Sequence, residues 1–147
     1  MSSEKACYRS IRMNNEELIE LAESVLNPYT TKDNRLFGDV GAVVVSEKGN
    51  VFTGVCVDTA SWGLCAERSA IAAMVTAGEY KIKKVVAVWK HPENGKLYAL
   101  PPCGHCREFM RAVDSDNLET EVLMGKAASA KLKELIPHYE WPEPLEA

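Results

Sequence analysis

The sequence predicts an α/β fold in which helices cover the faces of a β-sheet. Two observations lead to this fold class: short valine-rich runs suit buried strands, and they alternate with segments whose apolar residues recur at helical spacing. The predicted order is α-β-β-α-β-α-β-α. Because 147 residues suit one core, we expect a single domain over 1–147, with a loose arm at 1–13 and a proline-rich aromatic tail at 137–147.

The first elements are a helix and a hairpin. Asn14, followed three residues later by Glu17, matches a capping box and predicts a helix that begins there and stops before Pro28. Three consecutive valines in 40–45 predict a strand buried on both faces. A turn containing glycine follows, and residues 51–57 are predicted to return as the second strand of the hairpin.

The remaining elements alternate in type. Alanine-rich residues 65–77 predict a helix, which Gly78 ends at a C′ position. Pro101 and Pro102 prevent a helix before residue 103 and permit one directly after. In order, we then expect a strand at 84–89, a short strand or extended segment at 97–100, a helix at 104–113, a strand at 120–124 and a helix at 129–136.

Composition and charge exclude several classes of function. The net charge is −4 and no basic stripe occurs, so long nucleic acid is not an expected partner. No apolar run approaches the roughly 18 residues that a membrane span needs, and the first residues lack a signal-peptide core. We therefore expect a cytoplasmic protein without a membrane partner. Its odd number of cysteines, five, favours metal binding or a catalytic thiol over a disulfide framework.

Two cysteine motifs carry the chemistry. Cys65-Ala66-Glu67 and Pro102-Cys103-Gly104-His105-Cys106-Arg107 each stand where a helix is predicted to begin. Zinc binds thiolates, and a helix N-terminus favours negative charge, so Cys65, Cys103 and Cys106 can present three sulfurs to one ion. Three protein ligands leave one position of a tetrahedral zinc open, which is the catalytic arrangement.

The neighbouring charged residues suit hydrolysis at such a site. Zinc lowers the pKa of bound water to about 7 in favourable sites. Glu67, two residues after Cys65, is then placed to move protons between water and substrate without binding the metal. Three thiolates on a divalent ion leave a net negative charge. Arg68 is the first candidate to balance that charge, and Arg107 is the second.

Two other interpretations of the cysteines remain open. Cys103-Gly104-His105-Cys106 alone also matches a disulfide oxidoreductase motif, although that interpretation leaves Cys65 and Glu67 unexplained. A purely structural zinc would need a fourth ligand. The candidates for that ligand are Cys56, His91, His105 and His138.

The two motifs together resemble those of the zinc-dependent cytidine deaminase family, and the likeness runs from about residue 40 to residue 141. The resemblance implies a three-layer α-β-α fold with a five-stranded mixed sheet and helices on both faces. It implies one Zn²⁺ per subunit and a homotetramer, with a dimer as the alternative. The implied reaction removes the 4-amino group of a small cytosine-type nucleoside or analogue. A non-catalytic, zinc-stabilised binding protein of the same fold is the alternative.

The resemblance also suggests substrate-binding residues. Cys56 and Asp58 occupy the positions with which the family grips ribose, and the nine-residue step from Cys56 to Cys65 is closer to blasticidin S deaminase. The aromatic ending resembles that enzyme too, where such residues help to close the pocket. The full set of substrate-binding candidates is Phe37, Cys56, Asp58, Trp62, Ala66, Tyr139 and Trp141.

Overall fold

The computed structural model describes residues 8–9, 13–140 and 142–145. The predicted loose arm lies almost entirely outside these residues, and so does Trp141. The strands are β1 Tyr8–Arg9, β2 Tyr29–Thr30, β3 Leu36–Phe37, β4 Val40–Ser46, β5 Asn50–Val55, β6 Ile82–Lys90, β7 Leu97–Leu100, β8 Glu121–Leu123 and β9 Ser129–Lys131. The helices are α1 Asn15–Ser24, α2 Ala66–Thr76, α3 Gly104–Val113 and α4 Leu132–Leu135, with a 3₁₀ helix at Ser115–Glu119.

The main sheet is mixed, as expected, but its predicted number of five strands is wrong. In the described part of the chain it has seven strands, in the order β1-β5-β4-β6-β8-β9, with β7 also paired to β6. β4 is antiparallel to β5 and β6, whereas β6 and β8 are parallel. The strands missed from the sequence include the edge strands β1 and β9. These have two and three residues, too few for a recognisable alternation.

Helices lie on both faces of the sheet, which confirms the three-layer prediction. Val43 and Val45 of β4 pack in a core cluster with Leu18 and Ile19 of α1. Val44, between them, points to the other face and packs with residues of α2, α3 and α4. The consecutive valines therefore fill two cores at once, which explains why this strand is apolar at every position.

The local signals at the ends of α1 and α2 are confirmed. Asn14 and Glu17 form the predicted capping box, with N–H···O distances of 2.7 and 2.9 Å, and α1 ends at Ser24, before Pro28. Gly78 has a φ of +81° directly after the end of α2. The N–H of Gly78 donates to the Val75 carbonyl and the N–H of Glu79 donates to the Met74 carbonyl, which is the Schellman arrangement.

The predicted helix at 129–136 is wrong in its first half. Ser129–Lys131 is the strand β9, antiparallel to β8, and only Leu132–Leu135 is helical. The spacing of apolar residues suits a helix here, but the free edge of β8 offers backbone partners to residues 129–131. Pairing with that edge overrides the local pattern. None of the helices within the described residues is long and apolar enough to cross a membrane.

Gly54 on β5 brings α2 into close contact with the sheet. A Cβ built on Gly54 would lie 2.8 Å from the Ala66 carbonyl oxygen and closer still to the Ala70 nitrogen. Both of these backbone groups belong to α2, so they cannot rotate away as a side chain can. The first turn of α2, which carries the motif residues, is therefore seated directly on the sheet.

We expect Gly54→Ala to destabilise the chain by about 2–3 kcal/mol, because the added methyl group overpacks this contact. Thermal melting should show a midpoint lowered by roughly 5–10 °C. Gly104→Ala is the matched control, since a Cβ there meets no atom within 4 Å and alanine suits a helix. Equal melting temperatures for the two variants would contradict the close packing of α2.

Candidate metal centre

The three motif cysteines meet where α2 and α3 begin. Cys65 is the N-cap of α2 and Cys103 the N-cap of α3, and neither side chain caps its own helix by a hydrogen bond. Cys106 lies in the first turn of α3 and is fully buried. The Sγ atom of Cys103 is 3.4 Å from that of Cys65 and 3.6 Å from that of Cys106. All three sulfurs lie within 4.8 Å of one another.

This spacing fits a tetrahedral zinc ion. Zn–S bonds of about 2.3 Å at tetrahedral angles separate two sulfur ligands by about 3.8 Å. Within the described residues, no fourth cysteine, histidine or carboxylate joins the three sulfurs. The cluster therefore provides three protein ligands and leaves one coordination position for a non-protein ligand, as a catalytic zinc site requires.

The sulfurs differ in how readily they ionise in the absence of a cation. Burial, followed by the negative charges of Glu67, Cys65 and Cys103, raises the pKa of the Cys106 thiol. Burial also acts against ionisation of Cys103, but the backbone N–H of Cys106 and the neighbouring thiols outweigh it and lower the pKa of Cys103. The start of α3 thus favours a thiolate, as the dipole argument predicts.

Glu67 lies beside the sulfurs. It is in the first turn of α2 and only 5% exposed, and its Oε2 accepts a hydrogen bond from Cys106 Sγ at 3.7 Å. Burial raises the pKa of this carboxyl group above its ordinary value. A carboxyl group in this position, with a raised pKa, is suited to exchange a proton with a reactant beside the sulfurs.

The two arginines proposed to balance charge have different partners. Arg68 Nη2 lies 3.9 Å from Cys65 Sγ and donates to the Gly63 carbonyl at 2.6 Å. Arg107 instead donates to the backbone carbonyls of Pro102 and Leu135, each at 2.8 Å. The structure thus brings Arg68 to the cluster and turns the Arg107 guanidinium toward α4.

A cavity of about 570 Å³ lies next to the sulfur cluster. Its wall includes three of the predicted substrate-binding residues, Cys56, Asp58 and Trp62, together with the candidate metal ligand Cys65. The complete lining is Cys56, Val57, Asp58, Ser61, Trp62, Gly63, Leu64, Cys65, Arg68 and His105. The volume is in the range of pockets that bind small molecules.

The other substrate-binding candidates do not line this cavity in the described chain. Phe37 pairs with Tyr29 in the small β2–β3 sheet, and Ala66 is buried in a cluster with Ala42 and Ala87. The Tyr139 ring lies 5.4 Å from the guanidinium carbon of Arg111 on α3. Trp141 falls outside the described residues.

The candidates for a fourth zinc ligand are engaged elsewhere or lie outside the cluster. The Cys56 thiol donates to Asp39 Oδ1 at 2.9 Å, and His91 Nδ1 accepts backbone N–H bonds from the turn that follows it. His105 lines the cavity without joining the three sulfurs. His138, at a φ of +56°, does not join them either. Sequence analysis missed Asp39, whose only local signal is its position directly before a buried strand.

Comparison with known proteins decides the family. The family model of the cytidine and deoxycytidylate deaminase zinc-binding region matches residues 13–120. The chain belongs to this family. The family's zinc site explains the third sulfur and the buried Glu67, both of which the disulfide oxidoreductase interpretation leaves without a role.

Individual members of the deaminase family are similar over most of this chain. A cytidine deaminase from Halalkalibacterium halodurans is 30% identical over 128 residues, covering 83% of this chain and 87% of the relative. A blasticidin-S deaminase from Bacillus cereus is also 30% identical over 128 residues, covering 82% and 88%. The crystal structure of cytidine deaminase from Mycobacterium leprae superposes with a TM-score of 0.67 at 30% identity, covering 85% of this chain and 98% of that one.

Proposed function

We propose that this protein is a zinc-dependent hydrolytic deaminase that converts the 4-amino group of a cytosine-type nucleoside or analogue into a carbonyl group and releases ammonia. The observation that carries the proposal is the cluster of three cysteine sulfurs with the buried Glu67 carboxyl group beside it. Three sulfurs without a fourth protein ligand suit catalysis better than a structural zinc.

Each residue of the centre has a distinct task in this proposal. Cys65, Cys103 and Cys106 would hold one zinc ion, which lowers the pKa of a water molecule and so supplies a nucleophile near neutral pH. Glu67 would take one proton from the attacking water and donate it to the substrate's ring nitrogen. It would then take the proton of the new C4 hydroxyl group and pass it to the departing amine, so that ammonia leaves and the carbonyl group forms. Arg68 offsets the negative charge of the sulfurs.

Two types of substrate fit this proposal, plain cytosine nucleosides and larger analogues of them. The cytidine deaminase and the blasticidin-S deaminase match this chain at the same identity, so overall similarity does not separate them. The cavity presents Cys56 and Asp58, and its volume of about 570 Å³ is in the range of pockets that bind small molecules. Phe37, Ala66, Tyr139 and Trp141 remain predictions as substrate-binding residues.

Assembly and location complete the proposal. We propose a cytoplasmic homotetramer, as the resemblance to the deaminase family implies, and the 77% exposed Trp62 in the cavity wall is available for contact with a second copy. Reduced cysteines, which the metal site needs, suit a reducing compartment. Sedimentation of the zinc-loaded protein measures the oligomeric state directly.

A substrate panel tests the function. We expect the zinc-loaded protein to release ammonia from cytidine, deoxycytidine or blasticidin S, in step with the absorbance change that accompanies loss of the 4-amino group. The measurement compares kcat/KM across the three compounds, with single-stranded RNA as a polymeric comparison. Ammonia release should cease after chelation and return with added zinc.

The contrary result is equally clear. If no cytosine compound is turned over while chelation still unfolds the chain, the zinc is structural and the protein is a non-catalytic binding module. Tight binding of single-stranded RNA at low salt would instead favour a polynucleotide substrate. The acidic composition gives no support to that outcome.

A further inference from the structure

The segment Asp58–Gly63 forms one wall of the cavity but has little contact with the body of the protein. All six of its residues are exposed, including the indole of Trp62. Its base is closed by two 2.8 Å hydrogen bonds between Val57 and Leu64. The Thr59 hydroxyl donates to the Trp62 carbonyl and accepts from the Trp62 N–H. Both hydrogen bonds join residues of the segment itself, so they do not attach it to the rest of the protein. Within one subunit, burial of apolar side chains therefore does not hold the wall in place.

Arg68 connects this segment to the metal centre. Its Nη2 atom donates to the Gly63 carbonyl at 2.6 Å and lies 3.9 Å from the sulfur of Cys65. One amino group thus contacts both the end of the wall and a metal-binding residue. Hydrogen bonds from a charged guanidinium are stronger than those between neutral groups.

The helix that carries Arg68 provides a rigid base. Ala66 and Ala70 of α2 are fully buried, and the close approach of Gly54 leaves no room for α2 to move toward the sheet. The Arg68 guanidinium is attached to this fixed helix, so its hydrogen bond restricts the position of Gly63 and of the neighbouring Trp62.

We propose that Arg68 is a positioning residue that fixes the cavity wall Asp58–Gly63 against the metal-bearing helix, in addition to offsetting the charge of the sulfurs. The metal site and the wall that faces the substrate are then assembled as one unit. Lysine would keep the charge at this position but not the arrangement, because its ammonium group is a point charge without the planar fork of donors. The effect on substrate binding rests on the proposed function, whereas the effect on the wall does not.

Hydrogen exchange of the zinc-loaded protein tests this role. In Arg68→Lys and Arg68→Gln, measured at saturating zinc with the metal content checked, we expect amide exchange at residues 58–64 to accelerate about tenfold or more. That is the change expected when a hydrogen bond to a charged group is lost. We expect KM to rise about tenfold in Arg68→Lys while kcat changes less. Arg107→Lys is the matched control, because Arg107 also bonds two backbone carbonyls but at Pro102 and Leu135.

Different failures give different results. Unchanged exchange at residues 58–64 in both Arg68 variants would overturn the positioning role, even if activity falls. Exchange that is faster only in zinc-depleted variants, and equals the parent rate at saturating zinc, would show that Arg68 acts only through the metal, and would overturn the positioning role as well. If Arg68→Gln does not fold, Arg68→Lys alone decides. An absence of deamination in the parent protein would remove the proposed function but leave the exchange result interpretable.

Discussion

Glu67→Gln is expected to reduce turnover by roughly a thousandfold or more, while the chain keeps its zinc. The amide has the size of the carboxyl group but cannot accept a proton from water or deliver one to the substrate, and positioned acid–base groups contribute about 10²–10⁴-fold. The measurement is kcat for ammonia release together with metal content. Glu79→Gln is the matched control, because Glu79 is also buried but bonds Asn50, and it does not line the cavity beside the sulfurs. Full turnover by Glu67→Gln would remove Glu67 from the mechanism.

The same variant should be more stable than the parent when both are free of metal at neutral pH. Burial raises the pKa of Glu67, so the folded chain holds this proton more tightly than the unfolded chain does. The stability from this group is greatest below the ordinary glutamate pKa of about 4.3 and is lost as the pH rises through the raised value. Melting curves should therefore coincide below that ordinary pKa and diverge toward neutrality, where the amide variant melts at the higher temperature. A parent that is more stable than Glu67→Gln at neutral pH would contradict this sign.

The structure confirms the features that local sequence signals determine. The capping residues Asn14 and Glu17, the glycine at the end of α2 and the valines of β4 each act through neighbours along the chain or through a simple alternation. The starts of the two motif helices could also be located from the sequence. For α3, the prolines directly before Cys103 restrict where the helix can begin. That Cys65 and Cys103 approach one another is expected from the two zinc motifs together, not from the helix starts alone.

Features that depend on distant parts of the chain were not predictable. The hydrogen bond between Cys56 and Asp39 joins residues 17 positions apart, and neither local sequence predicts it. The strand β9 forms because β8 offers a free edge, although residues 129–136 have helical spacing. Tyr139 packs against Arg111 on α3. This contact depends on the path that the chain takes after α4, which local sequence does not determine. A family resemblance supplied candidate positions for substrate contacts, but the wall they form depends on how these segments pack.

Cys106→Ala is expected to abolish both zinc binding and turnover. Cys106 is fully buried, and its sulfur lies 3.6 Å from that of Cys103. Removing it leaves two cysteine ligands for an ion that needs three protein ligands in a catalytic site. After gel filtration, elemental analysis should find less than about a tenth of a zinc ion per chain, because the remaining pair cannot retain the metal. Ammonia release should fall to the uncatalysed rate.

The loss of zinc should also lower the melting temperature, because an ion that binds only the folded chain stabilises it by about 4 kcal/mol when present at a thousand times its dissociation constant. Chelation should therefore lower the midpoint of the parent protein and leave that of Cys106→Ala unchanged. Cys56→Ala is the control for the metal content, since its thiol bonds Asp39 and takes no part in the sulfur cluster. Loss of zinc from Cys56→Ala would identify it as a fourth ligand. Zinc would then have no position left for water, and a structural role for the metal would replace the catalytic one.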